Sequence, residues 1–210
     1  EMLDNHKSLG ADISVATIPV VEREAPEFGI LKSKEGLIDS FIEKPKKELL
    51  PDWTSDTGEV MKAKGRNYLA SMGIYIFNRN LLFEFLQNEF QDATDFGKEI
   101  IPQSIKKYKV ASYQYTGYWT DIGNIYSFFE ANIDLTKDIP DFNLFDSDRV
   151  IYTRSRMLPP AKISGTTLEK TLVAEGSIIN ASRVEHSVIG IRSRVEHGTT
   201  LVNTYMMGSD

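Results

Sequence analysis

The C-terminal stretch LVAEGSIINASRVEHSVIGIRSRVEHGTTLVNTYMM, residues 172–207, carries an apolar residue at almost every sixth position. The steps are six residues long except for one of five, and the series is Leu172, Ile178, Val184, Ile189, Val195, Leu201 and Met207. Such a period is typical of a hexapeptide β-helix, in which three short strands make one triangular coil. A pair of ordinary hairpins would instead repeat its apolar residues every second position. The stretch therefore predicts about two coils of a β-helix.

The residues before this stretch alternate between strand-like and helix-like segments. ISVATIPV (13–20) and YLASMGIYIF (68–77) indicate buried strands, and NRNLLFEFLQNEF (78–90) indicates an amphipathic helix. The side chains predicted to face inward on that helix are Leu81, Leu82, Phe85 and Leu86. Alternation of this kind predicts an α/β domain with a parallel or mixed sheet covered by helices.

The change from strand–helix alternation to a period of six residues suggests where one domain ends and the next begins. We expect the α/β domain to cover residues 1–140 and the β-helix to cover residues 166–210. The proline-containing segment between them, residues 141–165, is predicted to be a linker with one possible strand at RVIYTR (149–154).

Composition and charge exclude several classes of protein. The chain of 210 residues is 41% hydrophobic, which is ordinary for a globular protein and too high for disorder. It contains no cysteine, so disulfides, thiolate metal sites and cysteine nucleophiles are excluded. Its net charge of -6 and its lack of basic blocks argue against nucleic-acid binding, and no apolar run reaches the ~20 residues of a membrane span. No export signal is visible, and we expect a cytoplasmic protein.

The segment Phe41-Ile42-Glu43-Lys44-Pro45 places a carboxylate and an ammonium at the end of an apolar strand. Ligands of α/β sheets bind at strand ends, where a carboxylate can accept sugar hydroxyls and a lysine can bind phosphate. A solvated ion pair at a strand terminus would have the same sequence.

The segment YWTDIG (118–123) places Asp121 among aromatic residues, just before a helical pattern. Asp121 could cap that helix, which is the commoner use of aspartate in this position. It could also be a ligand of Mg²⁺, which usually takes only one or two protein carboxylates together with substrate phosphates.

Two further features do not indicate a site by themselves. Asp95-Phe96-Gly97 resembles the magnesium-binding triplet of protein kinases, but the glycine-rich and catalytic loops of kinases are absent. The histidines His6, His186 and His197 have no spacing suited to a metal cluster or a catalytic triad, and we expect them to have surface or packing roles.

Several motifs in order along the chain resemble the glucose-1-phosphate adenylyltransferase (ADP-glucose pyrophosphorylase) family of bacterial glycogen synthesis. They are FIEKP (41–45), ASMGIYIF (70–77), DFGKEIIP (95–102), YWTDIGN (118–124), EANIDL (130–135), LPPAK (158–162) and the hexapeptides. The resemblance implies a nucleotide-diphospho-sugar transferase domain with a Rossmann-like mixed sheet, followed by the start of a left-handed parallel β-helix. It also implies a homo-oligomer, a tetramer in this family.

The reaction implied by the resemblance joins glucose 1-phosphate and ATP into ADP-glucose and pyrophosphate with the help of Mg²⁺. Carried over position by position, Gly29, Glu43, Lys44 and Ser71 match the family's glucose 1-phosphate pocket. Glu43 and Ser71 would bind sugar hydroxyls, Gly29 would allow close backbone approach, and Lys44 would hold the phosphate. Asp121 matches a metal-binding aspartate, so Lys44 and Asp121 are the candidate catalytic residues.

The family's glycine-rich nucleotide loop, its adenine pocket and its second metal-binding aspartate have no counterpart in this sequence. We therefore expect the chain to be a fragment that is inactive alone. The alternatives are a thymidylyl-, uridylyl- or guanylyltransferase and a noncatalytic regulatory or scaffold subunit. A hexapeptide acyltransferase fits poorly, because those enzymes use a longer β-helix and a catalytic histidine in a loop.

Overall fold

Apolar strands build the first of two units in the computed structural model, which describes residues 1–209. This unit is Glu1–Gly117, and its strands are β1 (Ile13–Val20), β2 (Gly29–Lys34), β3 (Leu37–Glu43), β4 (Tyr68–Phe77) and β5 (Val110–Gln114). Its helices are α1 (Met2–Ser8), α2 (Glu59–Ala63), α3 (Arg79–Glu84) and α4 (Ile101–Ser104). Shorter turns are of the 3-10 type at Ala25–Glu27 and Lys47–Trp53 and of the π type at Phe85–Glu89 and Phe96–Ile100.

The five strands form a mixed sheet, as the sequence predicts. They are ordered β1-β4-β2-β3-β5, and the sheet closes on itself because β5 also pairs with β1. The β1/β5 pair is parallel and the other pairs are antiparallel. Every residue of β1 is buried, which is why this strand is almost continuously apolar.

The helix predicted over residues 78–90 is present, but one of its inward residues is wrong. Leu86 is exposed to solvent, whereas Phe85 and Phe90 are buried in the core. A π-helical turn over Phe85–Glu89 widens the helix at this point, so the apolar stripe of a regular helix no longer applies. The ring of Phe90 packs edge-on against that of Phe85 at 4.8 Å and takes the place expected for Leu86.

The second unit starts at Tyr118 and contains the predicted solenoid. Its one α-helix among the described residues is α5 (Ile125–Asp134). Its strands are β6 (Lys162–Ile163), β7 (Thr167–Val173), β8 (Ile178–Ile179), β9 (Arg183–Ile189), β10 (Arg194–Val195), β11 (Thr200–Val202) and β12 (Tyr205–Met206). The possible strand at 149–154 is wrong, because those residues have no regular structure.

The solenoid has three coils rather than about two, because the first coil begins at β6, within the segment predicted as a linker. All strand pairs between coils are parallel. The pairing aligns three inward rows, each with one residue per coil: Ile163, Ile179 and Val195; Leu168, Val184 and Leu201; Val173, Ile189 and Met206.

The hexapeptide series identifies four inward residues correctly, namely Val184, Ile189, Val195 and Leu201. It is wrong by one position at Leu172, Ile178 and Met207, whose places in the interior are taken by Val173, Ile179 and Met206. One corner of each coil turns through a left-handed residue, Lys170, His186 or Asn203, and this corner uses five residues instead of six. The strict period of six therefore drifts out of phase.

Helix α5 packs on the solenoid within the second unit. The ring of Phe128 meets that of Tyr205 edge-on, with centroids 5.0 Å apart. The domain boundary that the sequence places at residue 140 stays a prediction. None of the helices in residues 1–209 has both the length and the hydropathy needed to cross a bilayer.

Candidate functional site

Glu43 is the last residue of β3 and lies directly opposite Gly29, the first residue of β2. The next amide, that of Lys44, donates a hydrogen bond to the carbonyl oxygen of Phe28 at 3.0 Å. Lys44 has a φ of 45° and is exposed, so the chain turns sharply there and Pro45 follows outside the ladder. The FIEKP segment therefore ends a strand with its carboxylate and its ammonium next to each other.

Two glycines enclose the carboxylate of Glu43. A β-carbon on Gly29 would lie 2.6 Å from Glu43 Oε2 and 2.5 Å from Cζ of Phe41. A β-carbon on Gly97 would lie 3.0 Å from the same Glu43 oxygen. Real β-carbons rarely or never approach other atoms this closely, so Glu43 Oε2 lies against the bare backbone of both glycines. Gly29 therefore lies against Glu43, and its place in a sugar-phosphate pocket stays a prediction.

A bulge in β4 begins directly after Ser71, which is itself still paired in the ladder. Ser71 lies opposite Thr17 of β1 and Tyr75 lies opposite Val15, so β4 has two more residues than β1 across this interval. Gly73 lies inside the bulge with a φ of 70°, a conformation that suits glycine. Its amide donates a hydrogen bond to Ser71 Oγ at 3.3 Å. Burial raises the pKa of Tyr75, and the nearby Ser71 side chain acts in the opposite direction. Bulges often direct a side chain toward a site in this way.

The loop that leads into the second π-helical turn brings another carboxylate to Glu43. Asp95 caps this turn, because its Oδ1 accepts a hydrogen bond from the amide of Lys98 at 2.9 Å. The ring of Phe96 stacks on that of Tyr75 at 5.8 Å, which ties the loop to β4.

The charges of this cluster oppose one another. Burial raises the pKa of Glu43, and the nearby Asp95 carboxylate raises it further, while Lys44 and Lys98 act in the opposite direction. Burial also raises the pKa of Tyr75. The cluster therefore combines oxygens that can bind hydroxyls with ammonium groups that can bind phosphate, a composition suited to a phosphorylated sugar.

Replacing Glu43 by glutamine is expected to stabilise the fold at neutral pH while weakening sugar binding. The fold holds the Glu43 proton more tightly than the unfolded chain does, so ionisation above the ordinary pKa of 4.5 lowers the free energy of unfolding. Glu43→Gln cannot ionise, so its free energy of unfolding should exceed that of wild type at neutral pH. The two free energies should become equal below the ordinary pKa of 4.5. Affinity for a sugar 1-phosphate should fall by about tenfold, because the amide has one acceptor oxygen instead of two.

Urea unfolding at neutral and acidic pH, with isothermal titration of glucose 1-phosphate, measures both effects. Glu48→Gln, at an exposed position beyond the strand, is the matched control and should change neither quantity. Equal stability of wild type and Glu43→Gln at both pH values would contradict this account of Glu43.

Asp121 belongs to the second unit, whereas Glu43 belongs to the first. It does not cap α5: the cap is Asn124, whose Oδ1 accepts from the amide of Ser127 at 2.9 Å. The capping alternative for Asp121 is therefore wrong. Asp121 is exposed, and nothing in residues 1–209 donates a hydrogen bond to it. Within the same part of the chain, no group of three or more histidine, aspartate or glutamate side chains could hold a metal ion.

The histidines that the structure places do not form a catalytic group. His6 is buried and its Nδ1 lies 2.8 Å from Ser14 Oγ, so it ties α1 to β1. His186 occupies a corner of the solenoid.

Three residues that contact or face Glu43 were not expected in the site from the sequence, namely Tyr75, Asp95 and Gly97. A local signal for Asp95 was available. An aspartate just before a helical segment is a usual N-terminal cap. Nothing local indicates that this cap lies beside Glu43, because that proximity depends on the packing of the loop against β3.

Comparison with known families gives two matches that together cover most of the chain. Residues 1–138 match the model of the nucleotidyl transferase family. Residues 156–210 match the GLGC left-handed parallel beta-helix domain. The solenoid of the second unit is accordingly a left-handed β-helix.

Proposed function

The chain belongs to the nucleotidyl transferase family, and from this premise we propose that it forms the sugar-phosphate half of a sugar-1-phosphate nucleotidyltransferase. The observation that carries the proposal is the placement of Glu43 and Lys44. A carboxylate enclosed by two glycines and an exposed ammonium on the next residue together suit a sugar ring and its phosphate. Ser71 and Tyr75 add two hydroxyls to the same cluster.

We propose more specifically that the reaction joins glucose 1-phosphate and ATP into ADP-glucose for glycogen synthesis. A nucleotidyl transferase domain followed by a GLGC β-helix is the architecture of glucose-1-phosphate adenylyltransferase. The branch-specific motifs ASMGIYIF, DFGKEIIP and LPPAK support the same assignment. The same proposal includes an allosteric homo-oligomer that is assembled through the β-helix and acts in the cytoplasm.

The proposed reaction needs no covalent intermediate with the protein, which has to position the substrates and offset their charges. A phosphate oxygen of glucose 1-phosphate attacks the α-phosphorus of ATP; the new bond joins these two atoms, and the bond to the β-phosphate breaks to release pyrophosphate. Lys44 offsets the negative charge of the sugar phosphate, so the two anions can approach. Glu43 and Ser71 bind ring hydroxyls and hold the phosphate oxygen in line with the α-phosphorus.

Asp121 fits the requirements of a magnesium ligand. Its carboxylate is exposed and accepts no hydrogen bond in residues 1–209, so its oxygens are open to a cation. Magnesium is commonly bound through one or two carboxylates and the substrate's phosphates, which agrees with a lone aspartate. When bound, the ion supplies charge neutralisation at the transferring phosphoryl group.

Pyrophosphate release by the full-length protein tests the proposal. Glucose 1-phosphate is supplied with ATP, UTP, dTTP or GTP in turn, in the presence of Mg²⁺. We expect release to be fastest with ATP. Faster release with another nucleotide would overturn the adenylyl assignment, and no release with any nucleotide would favour a noncatalytic subunit.

A further inference from the structure

Glu99 forms an unusual concentration of hydrogen bonds just outside the Glu43 cluster. Its Oε1 accepts from the amide of Thr94 at 2.9 Å, from the Thr94 hydroxyl at 3.1 Å and from the amide of Asp95 at 3.0 Å. These bonds hold the pKa of Glu99 below its ordinary value, so the carboxylate stays ionised and remains an acceptor. One side chain therefore fixes both residues at the start of the loop.

The loop fixed by Glu99 leads directly to the carboxylate of Glu43. Asp95 raises the pKa of Glu43, and Gly97 lies so close that an added β-carbon would meet Glu43 Oε2 at 3.0 Å. Asp95 in turn accepts from the amide of Lys98, which closes the turn. Any movement of residues 94–98 would therefore change the surroundings of the Glu43 carboxylate.

We propose that Glu99 is a positioning residue for the sugar-phosphate site, acting through Asp95 and Gly97 on the orientation of Glu43. The proposal deepens the proposed function and rests on it for the identity of the ligand. Glu99 itself has no need to contact the sugar. Its carboxylate is used by the three donors of Thr94 and Asp95, so it orders the loop rather than binding the substrate.

Two substitutions separate hydrogen bonding from charge. Glu99→Ala removes the acceptor, whereas Glu99→Gln keeps an acceptor oxygen and removes the charge. The matched control is Glu89→Ala. Glu89 also accepts hydrogen bonds, from Lys107 and Tyr108, but these bonds do not involve the loop at Asp95.

The first measurement is steady-state kinetics in the full-length protein. Glu99→Ala should raise the KM for glucose 1-phosphate by about tenfold with little change in the KM for ATP, because a displaced group loses alignment with the sugar. Glu99→Gln should restore most of the loss, and Glu89→Ala should resemble wild type. Loss of thermal stability in Glu99→Ala with an unchanged KM would overturn the proposal, as would equal defects in Ala and Gln.

The second measurement needs no substrate. The titration of the Glu43 side chain, followed by carboxyl NMR, should move to lower pH in Glu99→Ala, since Asp95 and the covering loop would draw away. It should stay near the wild-type value in Glu99→Gln. An equal movement in both variants would mean that charge alone is responsible, which would overturn the positioning role. If wild type has no affinity for glucose 1-phosphate, the proposed function fails, and this titration alone decides the role of Glu99.

Discussion

Replacing Lys44 by alanine is expected to raise the KM for glucose 1-phosphate by about ten- to a hundredfold and to leave the KM for ATP almost unchanged. A charge-assisted contact contributes about 1.5 to 3 kcal/mol, and Lys44 is the ammonium next to the sugar-binding Glu43. The side chain is exposed, so no packing is lost. Alanine and lysine carry the same β-carbon, so the strain of a φ of 45° is also unchanged. The substitution therefore isolates the charge.

Lys46→Ala provides the matched control for this experiment. Lys46 is also exposed and lies two residues further along the same segment, but outside the strand end. It should leave both KM values at the wild-type level. A rise in KM of similar size for both substrates in Lys44→Ala would remove Lys44 from the sugar site.

Strand β4 could be located from the sequence, but its bulge could not. An unbroken apolar run predicts a buried strand at YLASMGIYIF, and β4 occupies those residues. The run is almost continuously apolar, so its periodicity does not show that Ser71 and Tyr75 are separated by a bulge. Gly73 is the one local hint, since an isolated glycine within a strand often marks a bulge. The direction of Ser71 depends on the partner strand, which a local pattern does not contain.

The β-helix could be predicted as an architecture but not in its exact phase. A period of six identifies the coil because three faces repeat around one interior. The residue that points inward at each face depends on how many residues each corner uses. Lys170 turns its corner with a φ of 44°, although lysine, unlike asparagine or histidine, is not enriched in this conformation. That corner therefore carries no clear sequence signal, and the series is wrong by one position at Leu172, just after it.

The candidate site divides in the same way. The position of Glu43 and Lys44 at a strand end could be predicted from the local pattern, and β3 does end at Glu43. Their role in binding a sugar phosphate stays a prediction. Asp95 is far from Glu43 in the sequence, and their proximity arises only when the loop packs against β3. The two meanings of Asp121 could not be separated from sequence, because capping and metal binding use the same residue type before a helix. The amide of Ser127 donates to Asn124 Oδ1, so Asn124 is the cap, and the metal-binding role of Asp121 stays a prediction.

Replacing Asp121 by asparagine is expected to reduce pyrophosphate release by the full-length protein by about a hundredfold or more. A metal ligand contributes several kcal/mol of charge stabilisation to the transition state, and a neutral amide is a poor substitute for a carboxylate on magnesium. Folding should be unaffected, because Asp121 is exposed, accepts no hydrogen bond in residues 1–209 and does not cap α5. An asparagine also occupies almost the same volume.

The rate of pyrophosphate release as a function of Mg²⁺ concentration, together with the melting temperature, measures these expectations for Asp121→Asn. The matched control is Asp138→Asn, which removes an equal charge from an exposed aspartate that pairs with Lys170 at 3.1 Å. This control should keep both the rate and its Mg²⁺ dependence, since surface ion pairs contribute little. A metal ligand predicts a lost rate with an unchanged melting temperature. Retained turnover with the wild-type Mg²⁺ dependence would exclude Asp121 from the metal site, because a metal ligand that loses its charge should bind Mg²⁺ less tightly.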